Sequence, residues 1–283
     1  SIYLVFRYLT IGKFIGNPYF YRSPLHNIIS ESVVVIHYIR LLLFPINQNV
    51  DHDVTVYENI FHFQVILALT IFIIIGFIIM KKGIGREAKF GLLWFFITLL
   101  PTSSFIPQIN LMAERWVYLP SVGFSILAGI TIEGIFESII RKFPLVKGRR
   151  LFFPLLRYAF IPFFLILTIH RNSLWNDTIT LWRDTEQKSP QRGNTHFYLG
   201  RGYQDKGLLD LAIEEYKKGL VLAPRHYDAF VVHNNLGVAL IQKGLPEEAI
   251  EQFKKALAIN PGYSIARENL EKILNARRTS AYQ

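Results

Sequence analysis

The chain has 283 residues, no cysteine, and 31 Lys+Arg against 21 Asp+Glu, a formal charge of +10. Without cysteine there are no disulfides, no thiolate metal sites and no cysteine nucleophile. The charge is unevenly shared: residues 1–174 hold 16 Lys+Arg against 8 Asp+Glu in a stretch dense in Ile, Leu and Phe, whereas residues 175–283 hold 15 against 13. A basic excess that follows the hydrophobic half points to membrane topology, and no basic stripe with interleaved aromatics argues for nucleic acid as a partner. The length and this change in composition together predict two domains, 1–174 in or on the lipid bilayer and 175–283 outside it. The expected fold class is all-α, a polytopic membrane helix bundle followed by a short helical-repeat array.

The first ten residues read as the end of a membrane helix. With Ser1 inside an apolar run and no charged leader, the chain is expected to be the C-terminal part of a longer protein. Gly12, Gly16 and Pro18 break that pattern, and an aromatic interfacial loop, PYFYRSPL, follows. From 26 to 44, His26, Ser30, His37 and Arg40 recur at helical spacing. This stripe predicts an amphipathic helix that lies at the interface or lines a cavity without crossing. The next loop, PINQNVDHDVTVYEN, is read as solvated charge, with Asp51, His52 and Asp53 as the alternative, a divalent-cation site.

Membrane spans are expected at about 63–80, 90–107, 117–136 and 151–170. The connections KKGIGREAK and RKFPLVKGRR carry four and five basic residues and lie on one face if the spans alternate. By the positive-inside rule that face is cytoplasmic, which leaves 11–61, 101–121 and everything after His170 on the other side. The stretch LPTSSFIPQINLMAERWVYLPS, Leu100 to Ser121, contains three prolines that oppose continuous helix. It also holds Glu114 and Arg115, the only charges between Lys89 and Glu133. They either anchor a helix end at the headgroups or face a polar cavity, where charge near a bilayer marks function.

The soluble part repeats itself. Leu199, Gly200, Tyr203, Gly207, Ala212, Tyr216, Gly219 and Pro224 are matched at the same spacing by Leu236, Gly237, Leu240, Gly244, Ala249, Phe253, Ala256 and Pro261. This resembles the tetratricopeptide repeat, whose small residues let paired helices approach and whose proline ends the second helix. Expected units are a half repeat over 175–190, repeats over 193–224 and 230–261, and a closing helix over 263–276. Three extra residues between the repeats predict a longer turn there. The concave side should present Arg201, Gln204, Asn235 and Asn269. Asparagines there either hold a peptide backbone or serve structure, and Tyr198 interrupts the ladder.

Taken together, PYFYRSPL, YIRLLLFPINQNVDHD, the motif Glu-Arg-x-x-Tyr-Leu-Pro-Ser, RNSLWNDTITLW and the repeats resemble the transmembrane-and-tetratricopeptide O-mannosyltransferases, relatives of GT-C fold glycosyltransferases. The resemblance implies a polyprenyl-phosphate sugar donor, no further cofactor, an acceptor or partner protein on the array, and a catalytic carboxylate in an earlier outer loop. Arg115 is then the candidate for the carrier phosphate, since guanidinium offers phosphate a planar fork of donors. Glu114 would orient Arg115 or a sugar, Tyr118 could donate a hydrogen bond, and Arg40 is a second phosphate candidate. A membrane-anchored repeat scaffold and a surface-polysaccharide ligase or polymerase are the alternative functions. A bacterial inner membrane, with the repeats on its extracytoplasmic side, is the expected location.

Overall fold

Among the residues that the computed structural model describes, 23–81, 83–101, 110–142, 160–223 and 228–281, every regular element is a helix. The chain divides into two compact units. One takes in 1–48 and 54–172, the other 173–283 together with the short segment 49–53. The segment 49–53 carries no periodicity to announce where it packs.

In the first unit, helix α1 runs from Pro24 to Leu43. Ser23 caps it by accepting a hydrogen bond from the His26 amide at 3.1 Å, and Pro24 loses nothing at a position whose N–H has no helical partner. The polar stripe expected on this helix is divided by the fold. Ser30 is buried with Asn27 and Glu31, while His37 and Arg40 are exposed. Ser30 returns its hydroxyl to the His26 carbonyl at 2.8 Å and accepts from the Tyr57 amide at 2.8 Å. The buried side continues through Val34, Tyr38 and Leu41 into a core with Phe95, Leu99, Leu111, Met112 and Val117. On this helix Glu31, Ser32 and Val35 line an apolar cavity of about 610 Å³.

Helix α2, Phe63–Met80, has the expected bounds and turns Phe63, Ile73 and Phe77 outward. Helix α3, Arg86–Leu99, begins earlier than the span expected at 90–107, because Gly85 opens it and Glu87 sits favourably in its first turn. Residues 102–109 lie outside the described residues, and α3 itself is about 21 Å long, short of a ~30 Å hydrocarbon core. A 3₁₀ turn, Glu114–Val117, leads into α4, Tyr118–Lys142, which outruns the expected 117–136. Pro120 therefore opens this helix instead of interrupting it, as its place in the first turn permits. Helix α5, Phe160–Ser173, covers the end of the span expected at 151–170, whose first part lies outside the described residues, as do 1–22. Among the described residues two stretches, Phe63–Met80 and Glu114–Ile139, are by length and composition long and apolar enough to cross a membrane.

Helices α3 and α4 meet backbone to backbone at Gly91 and Gly123. A Cβ on Gly91 would lie 2.9 Å from the Gly123 carbonyl oxygen, and one on Gly123 would strike the Gly91 carbonyl and sit 2.9 Å from the Phe95 nitrogen. Small residues allow this approach, which is how helices associate where no water drives them together. Gly123→Val should thus separate α3 from α4, at a cost of about 3 kcal/mol because backbone atoms cannot rotate aside. Faster hydrogen exchange across 88–130 in detergent micelles is the expected result; unchanged protection would refute the packing argument.

The second unit opens with a 3₁₀ turn, Leu174–Asn176, and then α6, Thr178–Lys188, capped by Asp177 through the Thr180 amide at 3.1 Å. Two helix pairs follow: α7 (Gly193–Asp205) with α8 (Leu209–Leu222), and α9 (Ala229–Gln242) with α10 (Pro246–Ile259). Helix α11, Ser264–Ala281, closes the array and runs beyond the expected 276. The matched small residues make room for rings: Gly200 faces Tyr216, Gly219 faces Phe197 and Gly237 faces Phe253, each too close to admit a methyl group. Gly207 and Gly244 turn each pair at φ of 73° and 83°, where a side chain is strained. The extra residues between the repeats divide between the connection 223–228, longer than 189–192 and 260–263, and an earlier start for α9. Pro224 lies outside the described residues.

Candidate functional site

The Glu114 loop is held from below by Tyr38. This side chain is 1 % exposed, and its hydroxyl accepts from the Ala113 amide at 3.0 Å and faces the Ala113 carbonyl at 3.3 Å. Leu111, Met112 and Val117 bury themselves on either side, so the polar turn between them is fixed at both ends. Glu114 pairs with Arg171 at 4.0 Å, both side chains largely shielded. Arg115 is exposed and lies over the Trp116 ring, 5.7 Å from its centre. Tyr118 is 78 % exposed.

Of the residues expected at this site, Glu114 and Arg115 share the 3₁₀ turn, Tyr118 starts the helix behind them, and Arg40 is exposed near the end of α1. Sequence reasoning missed Tyr38 and Arg171. Tyr38 could have been suspected from the helical spacing Glu31, Val35, Tyr38, which puts all three on one face of α1. Nothing local marks Arg171 as the counter-ion of a residue in another helix.

In the second unit the first helices line one face. Helix α9 packs on both α7 and α11, while α8 and α10 pack mainly on first helices. Asn235 and Asn269 occupy equivalent positions there and belong to one amide chain: Asn269 Nδ2 donates to Asn234 Oδ1 at 3.0 Å, and Asn234 Nδ2 to Asn235 Oδ1 at 3.4 Å. Gln204 is already committed, accepting from the Tyr216 hydroxyl at 2.9 Å and donating to Gln242 at 3.2 Å. Arg201 is exposed on the same helix. Tyr198, at the position equivalent to Asn235, is stacked on Trp182 with ring centres 4.4 Å apart and planes 12° apart. The sequence signal for this pair was available, since Trp182 keeps the spacing of the groove-filling aromatics Tyr216 and Phe253.

The segment 49–53 belongs to this unit. Asn49 Nδ2 donates to Ser189 Oγ at 2.8 Å, the Asp53 amide to the same oxygen at 3.1 Å, and Arg192 Nη2 to Asp51 Oδ1 at 2.8 Å. Asp51 is thus buried as an ion-pair partner, Asp53 is exposed, and Asp51, His52 and Asp53 do not gather ligand atoms around one point. Among the described residues the grouping that does so is Glu186, His196 and Glu215, within 4.8 Å of one another. There His196 Nδ1 meets Glu215 Oε2 at 2.6 Å, Nε2 meets the Pro190 carbonyl at 3.0 Å, and Lys218 donates to the other Glu215 oxygen at 3.0 Å. With both ring nitrogens facing acceptors and an ammonium on the carboxylate, the grouping is a hydrogen-bonded charge network. The Glu215 carboxylate raises the His196 pKa against the opposing effect of burial. Burial pushes the Glu215 pKa up, but hydrogen bonds from His196 and Lys218 outweigh it and leave it lowered.

The tetratricopeptide repeat model matches residues 230–263. The protein O-mannosyl-transferase TMTC1 of Mus musculus is 27 % identical over 160 residues, covering 56 % of this chain and 16 % of that protein. The Homo sapiens TMTC1 is 27 % identical, with 17 % of its length covered. A protein O-mannosyl-transferase of Caenorhabditis elegans is 25 % identical over 214 residues, covering 73 % of this chain and 29 % of that one. The chain therefore spans less than a third of the length of the curated relatives it matches. A solved structure described as the crystal structure of MamA is 16 % identical, covers 52 % of this chain and 88 % of that one, and superposes with a TM-score of 0.30. This chain carries tetratricopeptide repeats and is similar to the transmembrane-and-tetratricopeptide O-mannosyltransferases.

Proposed function

We propose that this chain is the C-terminal portion of a polyprenyl-phosphate-sugar-dependent protein glycosyltransferase of the O-mannosyltransferase kind, with the repeat array holding the acceptor or a partner protein. The observation that carries this reading is a polar turn anchored on the same face of α1 as an apolar cavity. Glu31 and Val35 line the cavity, and Tyr38, next on that face, holds the turn that bears Arg115. An isoprenoid chain suits such a cavity, whose lining is mostly aliphatic and aromatic.

The phosphate of the carrier would then meet Arg115. In the transfer, an acceptor hydroxyl oxygen bonds to the anomeric carbon while the bond from that carbon to the phosphate oxygen breaks, and the phosphate keeps the electron pair. A fixed guanidinium stabilises the charge that gathers there. Glu114, paired with Arg171, braces the turn, and Arg40 offers a second cation for phosphate. No cofactor is needed beyond the sugar donor. The two basic connections support a multi-pass arrangement with the array on the extracytoplasmic side.

The test is mannosyl transfer to protein from polyprenyl-phosphate mannose, in membranes containing the full-length parent or its Arg115→Ala variant at matched expression. The expected loss is about 10²-fold or more, as for removal of one preorganised donor, with partial recovery in Arg115→Lys. Undiminished transfer would remove Arg115 from the site. Absence of transfer from the parent itself would favour the scaffold alternative.

A further inference from the structure

The stacked pair Trp182 and Tyr198 serves no evident packing need at its outer surface. Trp182 covers one face of the Tyr198 ring, yet Tyr198 remains 40 % exposed while its neighbour Leu199 is 1 % exposed. The ring is thus a flat apolar surface, backed by a second ring, on the face lined by first helices. The equivalent positions further along that face are Asn235 and Asn269. Their shared amide chain uses Asn235 Oδ1 and Asn269 Nδ2, which leaves the Asn235 Nδ2 donors and the Asn269 carbonyl acceptor for a ligand. A donor and an acceptor side by side complement the C=O and N–H of a peptide group.

We propose that this face seats an extended polypeptide with a proline or aromatic side chain stacked on Tyr198 and a nearby peptide group held by Asn235 and Asn269. The inference rests on the reading of the array as the holder of an acceptor or partner protein, and it adds what that polypeptide must contain. Flat rings pair best with flat rings, and proline-rich extended segments dock on exposed aromatics at low entropic cost. Neighbouring first helices lie about 10 Å apart, so at roughly 3.3 Å per residue the anchor sits about three residues from the clamped peptide group. Arg201, one turn beyond Tyr198, favours a carboxylate near the anchor.

The experiment uses the full chain in lipid nanodiscs and fluorescein-labelled twelve-residue peptides of Gly, Ser and Thr, each with a central Pro, Tyr or Ala, read by anisotropy. A further Ala peptide carries one O-mannosyl serine. The Pro and Tyr peptides are expected to bind about tenfold tighter than the Ala peptide, a difference of about 1.4 kcal/mol. Tyr198→Ala should bring all three to one level, and Tyr198→Phe should keep the preference. Asn235→Ala should weaken all three together. If Asn235→Ala weakens binding but the wild type treats the three peptides alike, or Tyr198→Ala keeps the preference, the anchor is wrong and the peptide groove stands. If no peptide binds, both fail. Tightest binding of the mannosylated peptide, lost in Tyr198→Ala, would make the platform a sugar seat and overturn the proposal.

Discussion

Phe253→Ala should destabilise the repeat unit by about 3–5 kcal/mol, the range for emptying a buried phenylalanine site. The ring is fully buried and fills the space that Gly237 leaves, its nearest carbon 2.7 Å from where a Cβ on that glycine would be. Ala249 and Ala256, both fully buried on the same helix, join it in the core. None of these can move in to close the void, because glycine and alanine have no side-chain length to extend. Hydrogen exchange of amides 229–259 should lose protection by a factor in the hundreds or more. Gly237→Ala alone should also destabilise, by overpacking, and its cost should shrink in the Phe253→Ala background, where the methyl enters the void. Additive effects would mean that glycine and ring do not share one space.

The second large effect is expected at the His196–Glu215 pair. Both side chains are buried, at 4 % and 7 % exposure. The raised His196 pKa makes a contribution that is complete below the ordinary histidine value of 6.5 and is lost as pH rises through the folded-state value. The lowered Glu215 pKa makes one that is complete above the ordinary 4.5 and is lost as pH falls through the folded-state value. The repeat unit should therefore be most stable between about pH 4.5 and 6.5 and lose stability on both sides. Glu215→Gln should cost about 3 kcal/mol within that window, the low end for breaking a buried pair, since Lys218 leaves one side open to water. It should also flatten the alkaline limb. Melting curves of the chain in micelles from pH 4 to 9, followed by tryptophan emission, would decide; an unchanged alkaline limb in Glu215→Gln would show that His196 titrates without its partner.

These two predictions differ in how they could be reached. The Gly237 and Phe253 pairing is written in the chain twice, because Gly200 and Tyr216 stand at the same separation and meet in the same way. The His196 and Glu215 pairing has no second copy. In the next repeat the corresponding contact is His233 Nδ1 with Gln252 at 2.8 Å, an uncharged partner, and burial lowers the pKa of that histidine. The carboxylate of Glu215, where the next repeat has the amide of Gln252, turns a recurring contact into a charged one, while the lysine recurs as Lys255.

The sequence by itself determined the helices of the repeat array and the apolar length of α2, because each rests on spacing within one helix or one helix pair. Periodicity reports which face of an element is apolar, and the burial of Ala212, Tyr216, Ala249 and Phe253 follows from it. The tertiary structure alone decided which polar residues meet. Tyr38 reaches Ala113 across 75 positions, and Asn49 and Asp51 reach Ser189 and Arg192 across 140 and 141. A polar side chain in a loop carries no period, and its partner is set by where the chain returns. The segment 49–53 was therefore legible only as charge, and Glu114 as a charge without its Arg171. What a single hydrogen bond or ion pair requires is two groups brought within about 3–4 Å, and that condition is met by the fold as a whole.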